Sequence, residues 1–173
     1  PGVAASISVD GNMIVSGIAT IGSKLGIGGI TPSNALDVQG GTTNTAIVAR
    51  STDTKAQISL VDNSTTSVGS VVVGAEGDAL FFTSGSGGTE RLRITSSGYV
   101  GVGINDPSRI LHLHEASSDT VQLHITNSTT GTSGSDGVSF ALGSDESLII
   151  NQRESNHILL KTADTERLRI TSG

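Results

Sequence analysis

One eight-residue string occurs twice in this chain. Thr89-Glu90-Arg91-Leu92-Arg93-Ile94-Thr95-Ser96 returns letter for letter as Thr165-Glu166-Arg167-Leu168-Arg169-Ile170-Thr171-Ser172, 76 residues later. Self-similarity of this kind sets the architecture before local propensity does, because each unit must bury its apolar side against neighbours. Weaker matches surround the string. Leu25-Gly26-Ile27-Gly28 aligns with Val100-Gly101-Val102-Gly103 at an offset of 75, as do Pro32-Ser33 with Pro107-Ser108, and Leu36 and Val38 with Leu111 and Leu113. Val71-Val72 and Leu80-Phe81-Phe82 align with Ile149-Ile150 and Ile158-Leu159-Leu160 at 78. Such drift is what loop insertions and deletions between fixed strands produce. Two tandem repeats are expected, over 22–97 and 98–173, after a lead-in at 1–21. The chain opens at Pro1 without a leader, and its second repeat stops where a third would begin, so it reads as a segment of a longer array.

Inside each repeat the hydrophobic period is 2. Leu111 and Leu113 alternate with His112 and His114; Val121, Leu123 and Ile125 alternate with Gln122, His124 and Thr126; Leu168 and Ile170 alternate with Arg167, Arg169 and Thr171. Alternation of this kind predicts strands with one buried face. Gly, Ser, Asn and Asp fill the gaps at 40–41, 63–64, 84–88, 117–119 and 133–137, where tight turns need them. The fold class is therefore all-β. In the second repeat strands are expected near 100–104, 109–115, 120–126, 138–143, 147–152 and 157–162, with 166–171 closing the unit.

Composition adds a constraint on the core. The chain holds 23 Gly, 25 Ser and 20 Thr among 173 residues, with 35% hydrophobic and only 2% aromatic residues. So few large apolar groups leave a lone unit short of interior, and the edges of short strands invite pairing with another chain. A homo-oligomer with a shared core is expected. Without Cys there is no disulfide scaffold and no Cys-based zinc site. Strongly apolar runs reach three residues (71–73, 80–82, 148–150), too short for membrane insertion by a spanning segment. A net charge of −6 with no cluster of Lys or Arg argues against a nucleic-acid partner.

Glu90-Arg91-Leu92-Arg93-Ile94-Thr95-Ser96-Ser97-Gly98-Tyr99-Val100-Gly101-Val102-Gly103, followed by Asp106-Pro107-Ser108 and Leu111-His112-Leu113, resembles a module of bacteriophage tail fibres. Asp37-Val38 supplies the Leu-Asp-Val ending typical of that module, and segments at 10–12 and 15–22 resemble short fibre-shaft strands. The resemblance implies an elongated, interwoven homotrimeric fibre located on the virion and extracellular. Its implied partners are copies of itself, other virion tail or fibre proteins, and a host cell-surface glycan or protein receptor. The same modules would suit a bacterial surface adhesin or a contractile-injection fibre.

Candidate chemistry is sparse. Gly98, Gly101 and Gly103, like Gly22, Gly26 and Gly28, alternate with Val, Leu or Ile, which suits either close backbone approach or turns and bulges. A phosphate cradle at Gly26-Ile27-Gly28-Gly29 lacks the helix N-terminus it needs. If a hairpin turned near Ser118, His112, His114, Gln122 and His124 would share one face. That is either an ordinary solvated face or, as the resemblance suggests, imidazoles gathered at a threefold axis around a metal ion. Glu90, Arg91 and Arg93 recur as Glu166, Arg167 and Arg169. Recurrence favours a structural clasp to carboxylates of a neighbouring chain over a carbohydrate or anion site. A glycan-degrading enzyme needs paired carboxylates and aromatic platforms; Asp136, Asp145, Glu146 and Glu154 sit at turns, and Tyr99 is the sole Tyr or Trp. No catalytic, cofactor-binding or metal-ligating residue is assigned and no cofactor is expected. The expected role is mechanical and adhesive, with the polar loops 84–89 and 126–137 as the contact surface.

Overall fold

A computed structural model describes residues 25–27, 34–38, 42 and 47–172. The expected lead-in strands at 1–21, together with Gly22, Gly28, Gly29 and Pro32-Ser33, lie outside the described residues. Among those described, all regular structure is β and no helix is present. The chain divides into two compact units, residues 1–48 and 49–173.

In the first unit, β1 (Leu25–Ile27) and β2 (Leu36–Val38) pair in parallel. The second unit holds three sheets. Strands β3 (Lys55–Ser59), β4 (Val72–Glu76), β5 (Ala79–Ser84), β6 (Thr89–Ile94), β7 (Val100–Val102) and β8 (Leu111–Leu113) form a six-stranded sheet in chain order. All its neighbours are antiparallel except β7 and β8, which are parallel. Next, β10 (Val138–Leu142) lies between β9 (Val121–Ile125) and β11 (Leu148–Gln152), both antiparallel to it. Last, β12 (Ile158–Thr162) and β13 (Thr165–Ile170) form a hairpin whose turn holds Ala163 and Asp164 at positive φ. Every strand expected in the second repeat is present, most of them trimmed by one or two residues, and the closing strand starts one residue earlier than expected, at Thr165.

The sequence repeat is also a repeat of backbone register. β1 pairs β2 as Leu25↔Leu36, Gly26↔Asp37 and Ile27↔Val38, and β7 pairs β8 as Val100↔Leu111, Gly101↔His112 and Val102↔Leu113. Even the bond that opens each pair recurs, from Leu25 N to Ala35 O and from Val100 N to Ile110 O, both 2.8 Å. The parallel pairing departs from the hairpins that short gaps suggest. Residues 103–110 make the crossover without a helix. It is tight because Gly103 takes φ 76°, and because a Cβ at Gly101 would strike the carbonyl oxygen of Ile104. Gly98, at φ 80°, serves a turn. Both readings of these glycines therefore apply, divided by position, and the close approach at Gly101 lies within one chain.

The hairpins β5–β6 and β12–β13 repeat likewise. Leu80↔Ile94, Phe81↔Arg93 and Phe82↔Leu92 are followed by a shift to Thr83↔Glu90. Ile158↔Ile170, Leu159↔Arg169 and Leu160↔Leu168 are followed by the same shift to Lys161↔Glu166. In each hairpin one residue, Arg91 or Arg167, is left without an opposite number, which is a β-bulge. Sheet and sequence period are offset, since β7 and β8 belong to the second sequence repeat but complete the sheet of the first.

Candidate functional site

Cross-strand register assigns every side chain of the six-stranded sheet to a face, because opposite residues share one. One face carries the row Gln57, Gly74, Phe81, Arg93, Gly101 and His112, flanked by Lys55 and Glu76 at one end and by Val72, Thr83 and Glu90 at the other. The opposite face carries Ala56, Ile58, Val73, Ala75, Leu80, Phe82, Leu92, Ile94, Val100, Val102, Leu111 and Leu113, with Ser84 and Thr89 at its end.

The first face is internally complete. The Phe81 ring lies over Gly74, where a Cβ would come within 2.5 Å of it, and Phe81 is 2% exposed. Above the ring stand two cations, with Lys55 Nζ 5.2 Å and Arg93 Cζ 5.9 Å from its centre. Arg93 donates from Nε to Glu90 Oε1 at 2.6 Å, and from Nη2 to Glu90 Oε2 and Glu76 Oε2, both at 2.7 Å. Lys55 reaches the same Glu76 carboxylate at 3.7 Å. The fork to Glu90 exists because of the bulge. In a regular strand residues three apart face opposite sides, and the extra Arg91 re-phases Glu90 onto the side of Arg93. Charge follows geometry: the bonds it donates to Glu90 and then Glu76 hold the Arg93 guanidinium well above its usual pKa. The Glu76 carboxyl is lowered, chiefly by the bond from Arg93.

β13 repeats the fork, with Arg169 Nε 2.9 Å from Glu166 Oε1 and Nη2 2.6 Å from Glu166 Oε2. The Glu-Arg pairs are therefore clasps, each closing within its own strand, with Arg93 also reaching Glu76 on β4. The bulge brings the carboxylate round from three residues away.

The three-stranded sheet has the same polarity. Val121, Leu123, Ile125, Val138, Phe140, Leu142, Leu148 and Ile150 share one face with Gln152, and Gln122, His124, Ser139, Ala141, Ile149 and Asn151 share the other. Arg153 closes over the mixed face, donating to Gln122 Oε1 at 3.0 Å, to Ser139 Oγ at 3.2 Å and to the Gly134 carbonyl. In the hairpin, Ile158, Leu160, Leu168 and Ile170 face one way and Leu159, Lys161, Glu166 and Arg169 the other.

The covered side of these sheets is the polar one. Among the described residues the buried hydrophobic side chains are Val72, Phe81 and Ala141, and all three lie on the charged or mixed faces. The apolar faces are open: Leu111 is 56% exposed, Phe140 50%, Leu148 80% and Ile170 56%. A groove of about 330 Å³ between Leu113, Val121, Leu123, Phe140, Leu142 and Leu148 joins the apolar faces of the two larger sheets.

Other predicted residues are placed as follows. β8 does not pair with β9, so the hairpin about Ser118 is not formed. His112 and His114 stay together, ring centres 6.2 Å apart, and His112 Nδ1 accepts from Ser108 N at 3.3 Å. His124 is held elsewhere, its Nε2 2.6 Å from the Asp136 carbonyl. No group of three or more His, Asp or Glu able to hold a metal is found among the described residues. The loop 126–137 is ordered by its own side chains: Asn127 Oδ1 accepts from Thr129 N and Thr130 N at 2.9 and 3.0 Å, and Asp136 Oδ2 accepts from Ser133 N at 2.8 Å. Glu154 Oε1 accepts from Gly137 N at 2.7 Å, and Asp145 Oδ1 from Ser147 Oγ at 2.6 Å. That last bond, with Ser147 N, lowers the Asp145 carboxyl. These carboxylates are engaged in turns. Glu76, Lys55, Phe81 and Arg153 were not singled out from sequence, since only register reveals that Glu76 meets Arg93 or that Phe81 faces a glycine. No family model matches the chain, and no curated protein is found as its relative.

Proposed function

We propose that the chain is a structural and adhesive segment of a virion tail fibre, self-associating as a homotrimer and contributing to attachment at a host surface. The observation that carries this reading is the open apolar face on every sheet of the second unit. Summed over the three sheets, the exposed parts of those side chains amount to on the order of 1,000 Å², comparable to the ~800 Å² each partner gives a stable interface. The proposed occupant is another copy. Register assigns the largest face no charged side chain, only Ser84 and Thr89 beside its aliphatic rows, and the hairpins β5–β6 and β12–β13 present their apolar sides at the same register. The number three comes from the tail-fibre resemblance; the need for a partner comes from the faces.

With the apolar faces inward, the ladder of Lys55, Glu76, Arg93 and Glu90 points outward, as do the loops 84–89 and 126–137. Those loops offer hydroxyls and amides on a frame tied by Asn127, Asp136 and Arg153, suited to a glycan or protein receptor. Weak contacts there multiply with copy number. Light scattering on the intact chain tests the reading: a stable species near three times 17.5 kDa is expected, and a well-folded 17.5 kDa monomer overturns it. A reducing-sugar assay on host polysaccharide separates adhesion from glycan cleavage, with no release expected.

A further inference from the structure

Two loops are built alike at an offset of 65, apart from the octapeptide repeat. Asp62-Asn63-Ser64-Thr65 lies between β3 and β4, and Asn127-Ser128-Thr129-Thr130 between β9 and β10. In both, the first residue's amide donates to Oγ1 of the threonine three places on, at 3.0 Å. In both, its Oδ1 accepts from the amide two places on, Ser64 N at 3.0 Å and Thr129 N at 2.9 Å. One difference separates them: a carboxylate heads the first turn and an amide the second. The octapeptide holds a matching difference. On β13, Arg167 Nε donates to Thr162 Oγ1 at 2.7 Å, across a hairpin that turns through two residues. β5 and β6 are joined by four residues, and there Arg91 makes no hydrogen bond or ion pair among the described residues. Its Nη2 lies instead against Gly85, 3.5 Å from where a Cβ would stand.

Both differences meet at one cavity. It measures about 250 Å³, opens at the end of the six-stranded sheet between loop 62–70 and turn 85–88, and is lined by Asp62, Ser64, Thr66, Ser70, Gly85 and Ser86. The turn is seated on the loop: a Cβ at Gly88 would strike the Gly69 carbonyl oxygen, and Thr83 Oγ1 donates to the Ser70 carbonyl at 3.2 Å. Ser64 N and Thr65 Oγ1 both donate to Asp62 Oδ1, which leaves Oδ2 as an acceptor. Those bonds, Thr65's first, hold the carboxyl below its ordinary 3.8. The Arg91 guanidinium, against Gly85 at the cavity's edge, only donates. An acceptor and a donor flanking the hydroxyls of Ser64, Thr66 and Ser86 suit adjacent hydroxyls of a sugar, each of which donates and accepts. The two charges cancel, which favours an uncharged ring over an acidic one. We propose that this cavity binds one uncharged pyranose ring of a host glycan, with Asp62 Oδ2 accepting from one ring hydroxyl and Arg91 donating to its neighbour. The proposal rests on the adhesive reading for the source of the glycan. A volume below the roughly 300 Å³ of pockets for larger ligands admits one ring and not a chain of them. No aromatic ring lines the cavity, so affinity is on the order of millimolar and gains from copy number.

The test is titration of the isotope-labelled full chain with the methyl glycosides of glucose, galactose and mannose, read as amide shifts. At least one is expected to move Ser64, Thr66, Gly85 and Ser86 together, saturating at millimolar concentration, while Thr129 and Thr130 stay in place. Asp62→Asn keeps the turn, because Asn127 builds the same one, and is expected to weaken binding at least roughly tenfold. Arg91→Gln is expected to do the same. No saturable shift at those four amides with any of the three glycosides overturns the site. Equal shifts at Thr129 and Thr130, or unchanged affinity in both variants, would mean that hydroxyl turns alone take the sugar, and overturn the roles of Asp62 and Arg91. The amides report whatever the mass of the chain. A trimer without shifts therefore sinks the site alone, and shifts in a chain that stays monomeric sink the trimer alone.

Discussion

At the scale of single residues, one hydrogen-bonding arrangement occurs twice in different surroundings. Arg93 satisfies two carboxylates under near-complete cover, whereas Arg169 satisfies one while half exposed. Arg93→Met leaves Glu76 and Glu90 facing each other without their shared cation. It should lower stability by about 1–2 kcal/mol, read as a shift in urea midpoint, while Arg169→Met should shift it much less. Equal losses would mean that coverage by β7 and β8 does not set the strength of the fork. The pH dependence follows from the direction of the carboxyl shifts. Glu76 and Glu166 sit below their ordinary 4.5 when folded, held down chiefly by Arg93 and Arg169 respectively. A depressed folded pKa adds stability above the unfolded value and loses it as pH falls through the folded one. Urea midpoints should thus be level above about pH 5 and decline below about 4.5, with a shallower decline in Glu76→Gln.

At the scale of elements, the decisive devices are a glycine under an aromatic ring, a tight parallel crossover and a bulge. Gly74→Val would drive a side chain into the Phe81 ring, and relief requires displacing the best-buried aromatic of the sheet. A loss of about 2–4 kcal/mol is expected, with near-ultraviolet signals of Phe81 altered. Gly101→Ala meets backbone rather than a flexible side chain, at the Ile104 carbonyl. It should raise amide exchange through β7 and β8 while β4 and β5 keep their protection. Uniform protection throughout would show that the crossover tolerates a Cβ.

At the scale of the whole molecule, the question is which surface meets which. Phe140 is half exposed on the apolar face of the three-stranded sheet. On an isolated chain Phe140→Asp should cost about 1–2 kcal/mol, for the covered half of the ring and the poor strand propensity of Asp. In the proposed assembly it buries a carboxylate without a partner and should reduce the light-scattering mass to that of one chain. Gln57→Lys, on the charged face, should leave the mass unchanged. The opposite pair of results would place the interface on the wrong side of the sheets.

The sequence alone determined the class and the local geometry. Alternation of Leu, Ile and Val with polar residues announced strands from 100 to 170, and the duplicated octapeptide announced a structural repeat. Both are legible because period-two patterning and turn chemistry act over a few residues. What tertiary structure decided is pairing. That β7 and β8 run parallel, that Glu90 reaches Arg93 past a bulge, and that His124 parts from His112 depend on register between strands, which hydrophobic pattern leaves open. So does the side on which each sheet is covered. A chain with three Phe and one Tyr in 173 residues has little with which to roof an apolar face. Its own ion pairs and turns close the polar side, and the oily side stays open.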